Sequence, residues 1–154
     1  MKLKKQYFKN RIKKEIVKKH KIVAGNDLWT FLGQSKVGKF KRILLDSKYL
    51  VVGYETWLNI IGRNQVDKRT YKPQHFDCDD FAKIMYAYSS KEFEVNTCGL
   101  VLDWSGRHAY NLIVCLDPQG ELSLTFFEPQ SDRFLTEDEL FSGQYALQDG
   151  MIIL

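Results

Sequence analysis

Three residues whose types suit thiol chemistry, Cys78, His108 and Glu128, occur in that order along the chain. Cys78 directly follows Asp77, a good helix N-cap, so its thiol would lie beside unpaired amide N–H groups that favour an anion. Such a position lowers the pKa of a thiol, and the thiolate is the nucleophile. The order therefore predicts a nucleophile, a base that activates it and an acid that orients the base.

The residues after Cys78 have the pattern of a buried helix. Asp77 and Asp80 are spaced as a capping box, which fixes the start of a helix. Apolar residues then recur at i, i+3, i+4 and i+7 and predict a face turned to the core, formed by Phe81, Ile84, Met85 and Tyr88. This pattern predicts a helix of about three turns that carries Cys78 and ends near Ser89–Ser90.

A β-hairpin would position the other two members. Residues 108–116 and 122–128 alternate in a strand pattern, and residues 117–120 suit a type I turn. Matching the apolar faces pairs four residues of the first strand with four of the second: Val114 with Leu122, Leu112 with Leu124, Tyr110 with Phe126, and His108 with Glu128. This register would put the carboxylate beside the imidazole.

Four polar or aromatic residues near the trio could assist it. Gln74 and the backbone N–H of Cys78 could stabilise an oxyanion, although a surface glutamine is an equal interpretation. Trp104 could shield the imidazole or anchor a loop in the core. Asn111 and Gln130 could orient a substrate or simply bond to the backbone.

Acidic residues surround the predicted site. Asp77, Asp79, Asp80 and Asp103 form an oxygen-rich group of the kind that suits Ca²⁺. Asp77 is better explained as a helix cap than as a ligand, and no EF-hand spacing is present. The sequence itself therefore requires no cofactor, and the cysteines and histidines lack zinc-ligand spacing.

The remaining pattern predicts one compact α+β domain. Residues 4–23 read as a one-sided helix with Phe8, Ile12 and Ile16 four positions apart. Residues 55–61 suit a short helix, and a capping box at Thr136 and Glu139 opens another. Residues 28–32 form a short apolar patch, residues 43–45 and 49–52 suit short buried runs, and strands are predicted for residues 95–102 and 151–154.

Charge divides the chain into a basic front and an acidic remainder. Residues 1–42 hold 14 Lys or Arg against two acids, a balance of +12, whereas the rest holds nine against 17, a balance of −8. We interpret residues 1–42 as a basic helical extension and residues 43–154 as the main domain. The extension is either a solvated helix or an arm that contacts a polyanion, a partner or the acidic half.

Composition bounds the location of the protein. No apolar run is long enough for a transmembrane helix, and the basic N-terminus is not followed by the apolar stretch of a signal peptide. The odd number of cysteines and their wide spacing argue against a disulfide framework; they are Cys78, Cys98 and Cys115. We therefore expect a cytoplasmic protein in a reducing compartment.

Three strings resemble a known family. FDCDDFA at residues 76–82, GRHAYN at 106–111 and FEPQ at 127–130 are similar to the papain-like C-terminal domain of the Marasmius agglutinin and to stand-alone bacterial or phage proteins. The pattern also resembles transglutaminase-like domains. The resemblance implies a papain-like core, in which the helix carrying Cys78 packs on an antiparallel sheet. It further implies a calcium-activated cysteine protease with Cys78, His108 and Glu128 as its triad.

Two functional hypotheses follow. The first is thiol-dependent acyl transfer, most simply hydrolysis of a peptide or amide bond in a protein substrate, with transglutaminase-like transfer to an amine also open. The alternative is a catalytically idle papain-like binding module whose basic arm engages nucleic acid or a protein partner.

Overall fold

The computed structural model describes the backbone of residues 2–154 and the side chains of residues 6–154. Its α-helices are α1 (Lys2–Lys18), α2 (Gly25–Gly33), α3 (Tyr54–Ile61) and α4 (Cys78–Phe93). Its strands are β1 (His20–Ala24), β2 (Lys41–Ile43), β3 (Lys48–Val52), β4 (Cys98–Asp103), β5 (His108–Leu116), β6 (Leu122–Glu128), β7 (Arg133–Phe134) and β8 (Gly150–Ile153). Single 3₁₀ turns lie at Val66–Lys68 and Glu137–Glu139. Among the helices described, none is long and apolar enough to cross a membrane.

Six strands form the central sheet in the order β2-β8-β4-β5-β6-β7, and β1 pairs with β3 separately. All neighbours in the large sheet are antiparallel except β2 and β8. Helix α4 packs across β4 and β5, where Met85 and Phe93 share a buried cluster with Cys98 and Ile113. The predicted α+β class is therefore confirmed, and the cysteine-bearing helix packs on two antiparallel strands of a sheet that also has one parallel pair.

Helix α4 begins where the sequence predicts and ends later. The capping box is present, and the Asp77 backbone N–H donates to Asp80 Oδ2 at 3.2 Å. The helix continues to Phe93, one turn past the predicted end, because Phe93 is buried and the left-handed Glu94 then stops it. Ile84, which we expected in the core, is 38% exposed, since the sheet covers only one side of the helix.

The N-terminal helix is shorter than predicted. It ends at Lys18, because His20–Ala24 gains a full ladder of backbone hydrogen bonds with β3 that a continued helix would forgo. Ile12 and Ile16 are buried against the body, whereas Phe8 remains 37% exposed. Two ion pairs to the region where α4 ends, Lys9 with Glu92 and Lys13 with Glu94, help hold α1 in place.

The β5–β6 hairpin has the predicted strands in a different register. Leu112 faces Phe126 and Leu116 faces Leu122, two residues away from the predicted pairing. The turn is tighter than predicted, because the Asp117 carboxylate accepts from the backbone of Gln119 and Glu121 while the Asp117 N–H donates to the Glu121 carbonyl, which brings Leu116 opposite Leu122. A shift of two residues leaves every side chain on its predicted face.

Candidate functional site

His108 and Glu128 are in direct contact. His108 Nε2 lies 2.6 Å from Glu128 Oε2, and only 9% and 5% of the two side chains are exposed. The observed register sets Glu128 opposite Tyr110, so His108 reaches it across a diagonal of the hairpin. The predicted direct pairing is therefore wrong, although the predicted contact is formed.

Glu128 is held as a carboxylate by several donors. Burial alone would raise its pKa, but the hydrogen bonds from His108, the Gln130 backbone N–H and the Tyr145 hydroxyl together lower the pKa below its ordinary value. A buried carboxylate with three donors is fully satisfied. The pair therefore forms a rigid, polar end to the hairpin.

Tyr145 completes this network and was missed by our sequence analysis. Its hydroxyl donates to Glu128 Oε2 at 2.9 Å and accepts from Gln144 Nε2 at 2.8 Å. Burial and then the charge of Glu128 raise the pKa of Tyr145 to about 12. Tyr145 lies in an irregular segment seventeen residues from Glu128, so no local pattern in the sequence indicates the contact.

Cys78 lies next to the start of β5, in surroundings that disfavour its thiolate form. Its side chain packs against Ala82, Leu100 and Ala109. Burial raises the pKa of the Cys78 thiol, Asp77 and Asp79 raise it further, and the backbone N–H groups of Ala109 and Asp79 only partly offset this. Within the described chain, no hydrogen bond joins the thiol to His108. The lowered thiol pKa that we expected is therefore not found.

Three of the four predicted metal-binding carboxylates come together. Asp77, Asp79 and Asp80 place one oxygen each within 4.8 Å of the others. A hydrogen bond with Asp79, followed by burial, raises the pKa of Asp77. Lys83 pairs with Asp79 at 2.7 Å and with Asp80 at 2.9 Å, and already supplies a positive charge. The donor set suits a hard cation only in part.

Asp103 takes no part in that cluster. It is 1% exposed and accepts hydrogen bonds from the Ser105 and Tyr110 hydroxyls and from the backbone of Gly106 and Leu147. These partners occupy both oxygens, so Asp103 has a structural role in the β4–β5 turn. Its predicted place with Asp77, Asp79 and Asp80 is therefore wrong.

The four assisting residues lie in different settings. Gln74 is exposed, and its backbone N–H donates to Asp77. Trp104 is 44% exposed with the Lys41 ammonium 5.2 Å from its ring, on the β2 side of the sheet. Asn111 is buried and donates to the carbonyls of Ala82 and Gly99, so it ties α4 to β4. Gln130 contributes its backbone N–H to Glu128.

A separate groove lies at the other end of β5 and β6. Cys115 is seven residues from His108, which is about 23 Å along an extended strand. The groove has a volume of about 920 Å³, and we name it the Tyr54 groove after its most prominent aromatic residue. Its walls come from the end of α1, the start of α3, the β5–β6 turn and β6, and include Lys19, His20, Tyr54, Glu55, Gln119, Ser123 and Thr125.

A smaller groove of about 500 Å³ lies between the start of α2 and β2, and we name it the Trp29 groove. Trp29 is 44% exposed, and the Arg42 guanidinium carbon lies 4.5 Å from its ring centroid. The other polar residues along this groove are Asn26, Asp46 and Ser47. No motif in the sequence drew attention to either groove.

Comparisons with known proteins connect the chain to agglutinins. The family described as Agglutinin C-terminal matches residues 49–134. A structure described as "PSL1a-E64 complex" has a TM-score of 0.66 and 23% identity over 86% of this chain and 51% of that one. Polyporus squamosus lectin, bound to the epitope Neu5Aca2-6Galb1-4GlcNAc, has a TM-score of 0.64 and 24% identity over 86% and 49%. This chain thus spans about half the length of those structures. No curated protein gives a match.

These matches correct the first functional hypothesis. An agglutinin family model and lectin-type neighbours do not support peptide or amide hydrolysis, so the assignment as a cysteine protease, amidase or other acyl-transferase is wrong. The binding-module alternative agrees better with them. Since the matched region is more than half of its length, the chain belongs to the Agglutinin C-terminal family.

Proposed function

We propose that this domain is a binding module that recognises carbohydrate through the Tyr54 groove. Membership of the agglutinin family supports this function, and the Polyporus squamosus lectin is described with a bound glycan. The single observation that carries the proposal is the groove itself. Its volume lies within the range that small-molecule ligands occupy, and most of its lining falls inside the region that the family matches.

The residues of the groove suit a sugar. Tyr54 is 39% exposed and is supported from behind by Phe134, with ring centroids 5.1 Å apart. An anchored aromatic ring offers a flat apolar surface to the C–H face of a sugar ring. Ser123, Thr125 and Glu55 supply hydroxyl and carboxylate groups that exchange hydrogen bonds with sugar hydroxyls. An apolar platform with a few polar groups is typical of ligand sites.

The groove is built on a fixed frame. A bridge between Gly53 and Leu116 joins the start of α3 to the end of β5. The β5–β6 turn is closed by the hydrogen bond from Gly120 N–H to the Asp117 carbonyl and by the Asp117 carboxylate. A groove whose walls are held before binding saves the ordering entropy that a flexible site would lose.

Isothermal titration with Galβ1-4GlcNAc and Neu5Acα2-6Galβ1-4GlcNAc tests the proposal. We expect binding to at least one of these glycans, with amide shifts at Gly120 and Ser123 in NMR spectra. Tyr54→Ala should weaken binding at least tenfold, whereas Tyr71→Ala, at an exposed tyrosine outside the groove, should not. Absence of binding, or equal affinity in both variants, would reject the Tyr54 groove as the site.

A second ligand position is favoured by the description of PSL1a in complex with E64. We propose the surface beside Cys78 and His108 as a place where a small molecule binds. E64 is the direct probe. Amide shifts confined to residues near Ala109 would support this position, and shifts confined to the Tyr54 groove would refute it.

The finer fold assignment is also a proposal. We infer a papain-like arrangement from the placement of Cys78 at the start of a helix that packs on β4 and β5, with His108 and Glu128 on the same sheet. We further propose a cytoplasmic location, supported by three free cysteines. Thiol titration of protein isolated without reductant tests the cytoplasmic location, because a reducing compartment leaves all three cysteine thiols available for titration after unfolding.

A further inference from the structure

We propose that the outer edge of β1 (His20–Ala24) binds an extended acidic segment of a partner protein as an additional strand. The proposal concerns protein recognition and is separate from the carbohydrate function proposed above. It rests on backbone groups of β1 that have no partner, on an exposed isoleucine among them and on the basic residues around them.

The hydrogen bonds of β3 show which backbone groups of β1 point outwards. Ile22 lies opposite Leu50, whose N–H donates to Asn96 Oδ1 at 2.9 Å and whose carbonyl accepts from Thr97 Oγ1 at 3.3 Å. Since both groups of Leu50 are used there, Ile22 and Leu50 are a non-hydrogen-bonded pair of the ladder. The N–H and carbonyl of Ile22 therefore point to the outer edge, and no hydrogen bond to either is found among the described residues.

Two further hydrogen bonds agree with this alternation. The Gly25 N–H donates to the Ser47 carbonyl at 2.9 Å, as expected when the odd-numbered residues of this segment bond towards β3. Lys48 lies opposite Ala24, and its carbonyl accepts from Asn96 Nδ2 at 3.1 Å. The far edge of β3 is thus occupied, whereas the part of the chain that the structure describes places no strand on the outer edge of β1.

The side chains along this edge are open to solvent. Ile22 is 52% exposed, and Lys21 and Ala24 beside it are exposed as well. An exposed strand edge with an apolar side chain offers an added strand both backbone hydrogen bonds and an apolar contact. A bound strand would pair its backbone with Ile22 and lay one of its own apolar side chains against it.

The charge of the edge selects the partner. Lys18, Lys19 and Lys21 are exposed, and no ion pair to any of them is found in the described chain. No acidic residue occurs between Glu15 and Asp27. Lysines on an edge deter pairing with a second copy of the same strand, because like charges would meet, and they favour a strand that carries carboxylates. The edge therefore suits an extended acidic peptide and not a second copy of this chain.

A capped hexapeptide of alternating valine and glutamate is the probe, and the same peptide with glutamine in place of glutamate is its matched control. We expect NMR titration of the full chain to show about tenfold tighter binding of the glutamate peptide. Amide shifts should appear at Ile22 and Ala24, with slower hydrogen exchange at Ile22. Two analogues, N-methylated either at the valines or at the glutamates, keep the charge. Only one of them should lose binding, because alternate N–H groups of a strand point to opposite edges.

Variants of Ile22 separate the backbone from the side chain. Ile22→Pro removes the outward N–H and keeps the ladder with β3, since proline is tolerated where the N–H of an edge strand faces solvent. We expect it to weaken the glutamate peptide by about three- to tenfold, whereas Ile22→Val, which retains the N–H, should bind nearly as the parent does. Lys21→Gln should also weaken binding, but Lys91→Gln, at an exposed lysine of α4, should not. Tyr54→Ala should leave peptide affinity unchanged.

Equal affinity of the two methylated analogues would overturn the proposal, because charge alone would then hold the peptide, as on a surface for nucleic acid. Absence of binding, unchanged affinity in a folded Ile22→Pro variant, or amide shifts confined to α1 would also overturn it. The methylated analogues are tested on the parent protein, so they decide the matter even where the proline variant fails to fold.

Discussion

His108 and Glu128 meet across a diagonal of the β5–β6 hairpin, with Nε2 and Oε2 2.6 Å apart, while Tyr110 occupies the position directly opposite Glu128. Diagonal neighbours on one face of a sheet lie about 7–8 Å apart at Cα, and long side chains bridge that distance. The contact therefore depends on both side chains lying on the same face of the sheet. It forms even though the strand register differs by two residues from the predicted one.

The first prediction concerns the acid stability of this pair. The folded pKa of Glu128 is lowered, so its stabilising contribution is complete above the unfolded value of about 4.3 and is lost as the pH falls through the folded value. Glu128→Gln should reduce the free energy of unfolding at pH 7 by about 1–3 kcal/mol and remove this part of the acid dependence. Urea unfolding between pH 2 and 7 measures both, with exposed Glu121→Gln as the control. Parallel curves for both variants and the parent would contradict a stabilising role.

The docking of α1 gives a second prediction. Ile12 and Ile16 are 3% and 4% exposed, so Ile12→Ala or Ile16→Ala leaves a cavity between α1 and the body. We expect each change to lower the free energy of unfolding by about 2–5 kcal/mol. Val17→Ala, at a neighbouring position that is 75% exposed, should change it little. Thermal melting checks this, and unchanged melting of the isoleucine variants would show that α1 is not part of the core.

Thiol reactivity gives a third prediction. Burial raises the pKa of Cys78, raises that of Cys115 to about 11, and also raises that of the fully enclosed Cys98. We expect iodoacetamide to modify Cys78 at least about tenfold faster than the other two, because it is the least buried. Its rate should rise about tenfold per pH unit between pH 6 and 8. A rate independent of pH in this range, followed by mass spectrometry, would show instead that the thiolate is already formed.

The acidic cluster at the start of α4 gives a fourth prediction, and binding of Ca²⁺ there remains a proposal. Asp77, Asp79 and Asp80 offer three oxygens, with Lys83 as a competing cation. Free Ca²⁺ at ten times its dissociation constant would add about 1.4 kcal/mol of stability. Melting in Ca²⁺ and in chelator measures this, and Asp79→Asn should abolish the difference while exposed Asp138→Asn should not. Identical melting in both conditions would exclude the site.

The exposed face of α1 gives a fifth prediction, that of binding to a polyanion. Lys9 and Lys13 are paired with glutamates, whereas Arg11, Lys14 and Lys18 are exposed. We expect weak binding to duplex DNA. The magnitude of the slope of the logarithm of the binding constant against the logarithm of salt concentration should fall by about 0.9 for each phosphate that a variant no longer neutralises. Lys14→Gln with Lys18→Gln should lower the slope more than Lys48→Gln with Lys72→Gln, at exposed lysines outside α1. Equal slopes in a filter-binding or anisotropy titration would rule out binding through α1.

Local chemistry in the sequence determined the start of α4, both hairpin strands and the faces of their side chains. A capping residue acts on backbone groups within one turn, and strand alternation has a period of two, so Asp77, His108 and Glu128 can be read without the fold. The end of α1 could not be read in this way. Its residues suit a helix beyond Lys18, and only the ladder with β3, more than twenty residues away, makes His20–Ala24 a strand.

Only the tertiary structure determined the contacts between distant segments and the pKa shifts that follow from those contacts. Tyr145 reaches Glu128 from an irregular segment, Asp103 is enclosed by four donors, and burial beside Ala109 outweighs the helix start at Cys78. The Tyr54 and Trp29 grooves are likewise assembled from separate elements. Burial and through-space charge depend on which segments pack together, and sequence spacing carries no record of that.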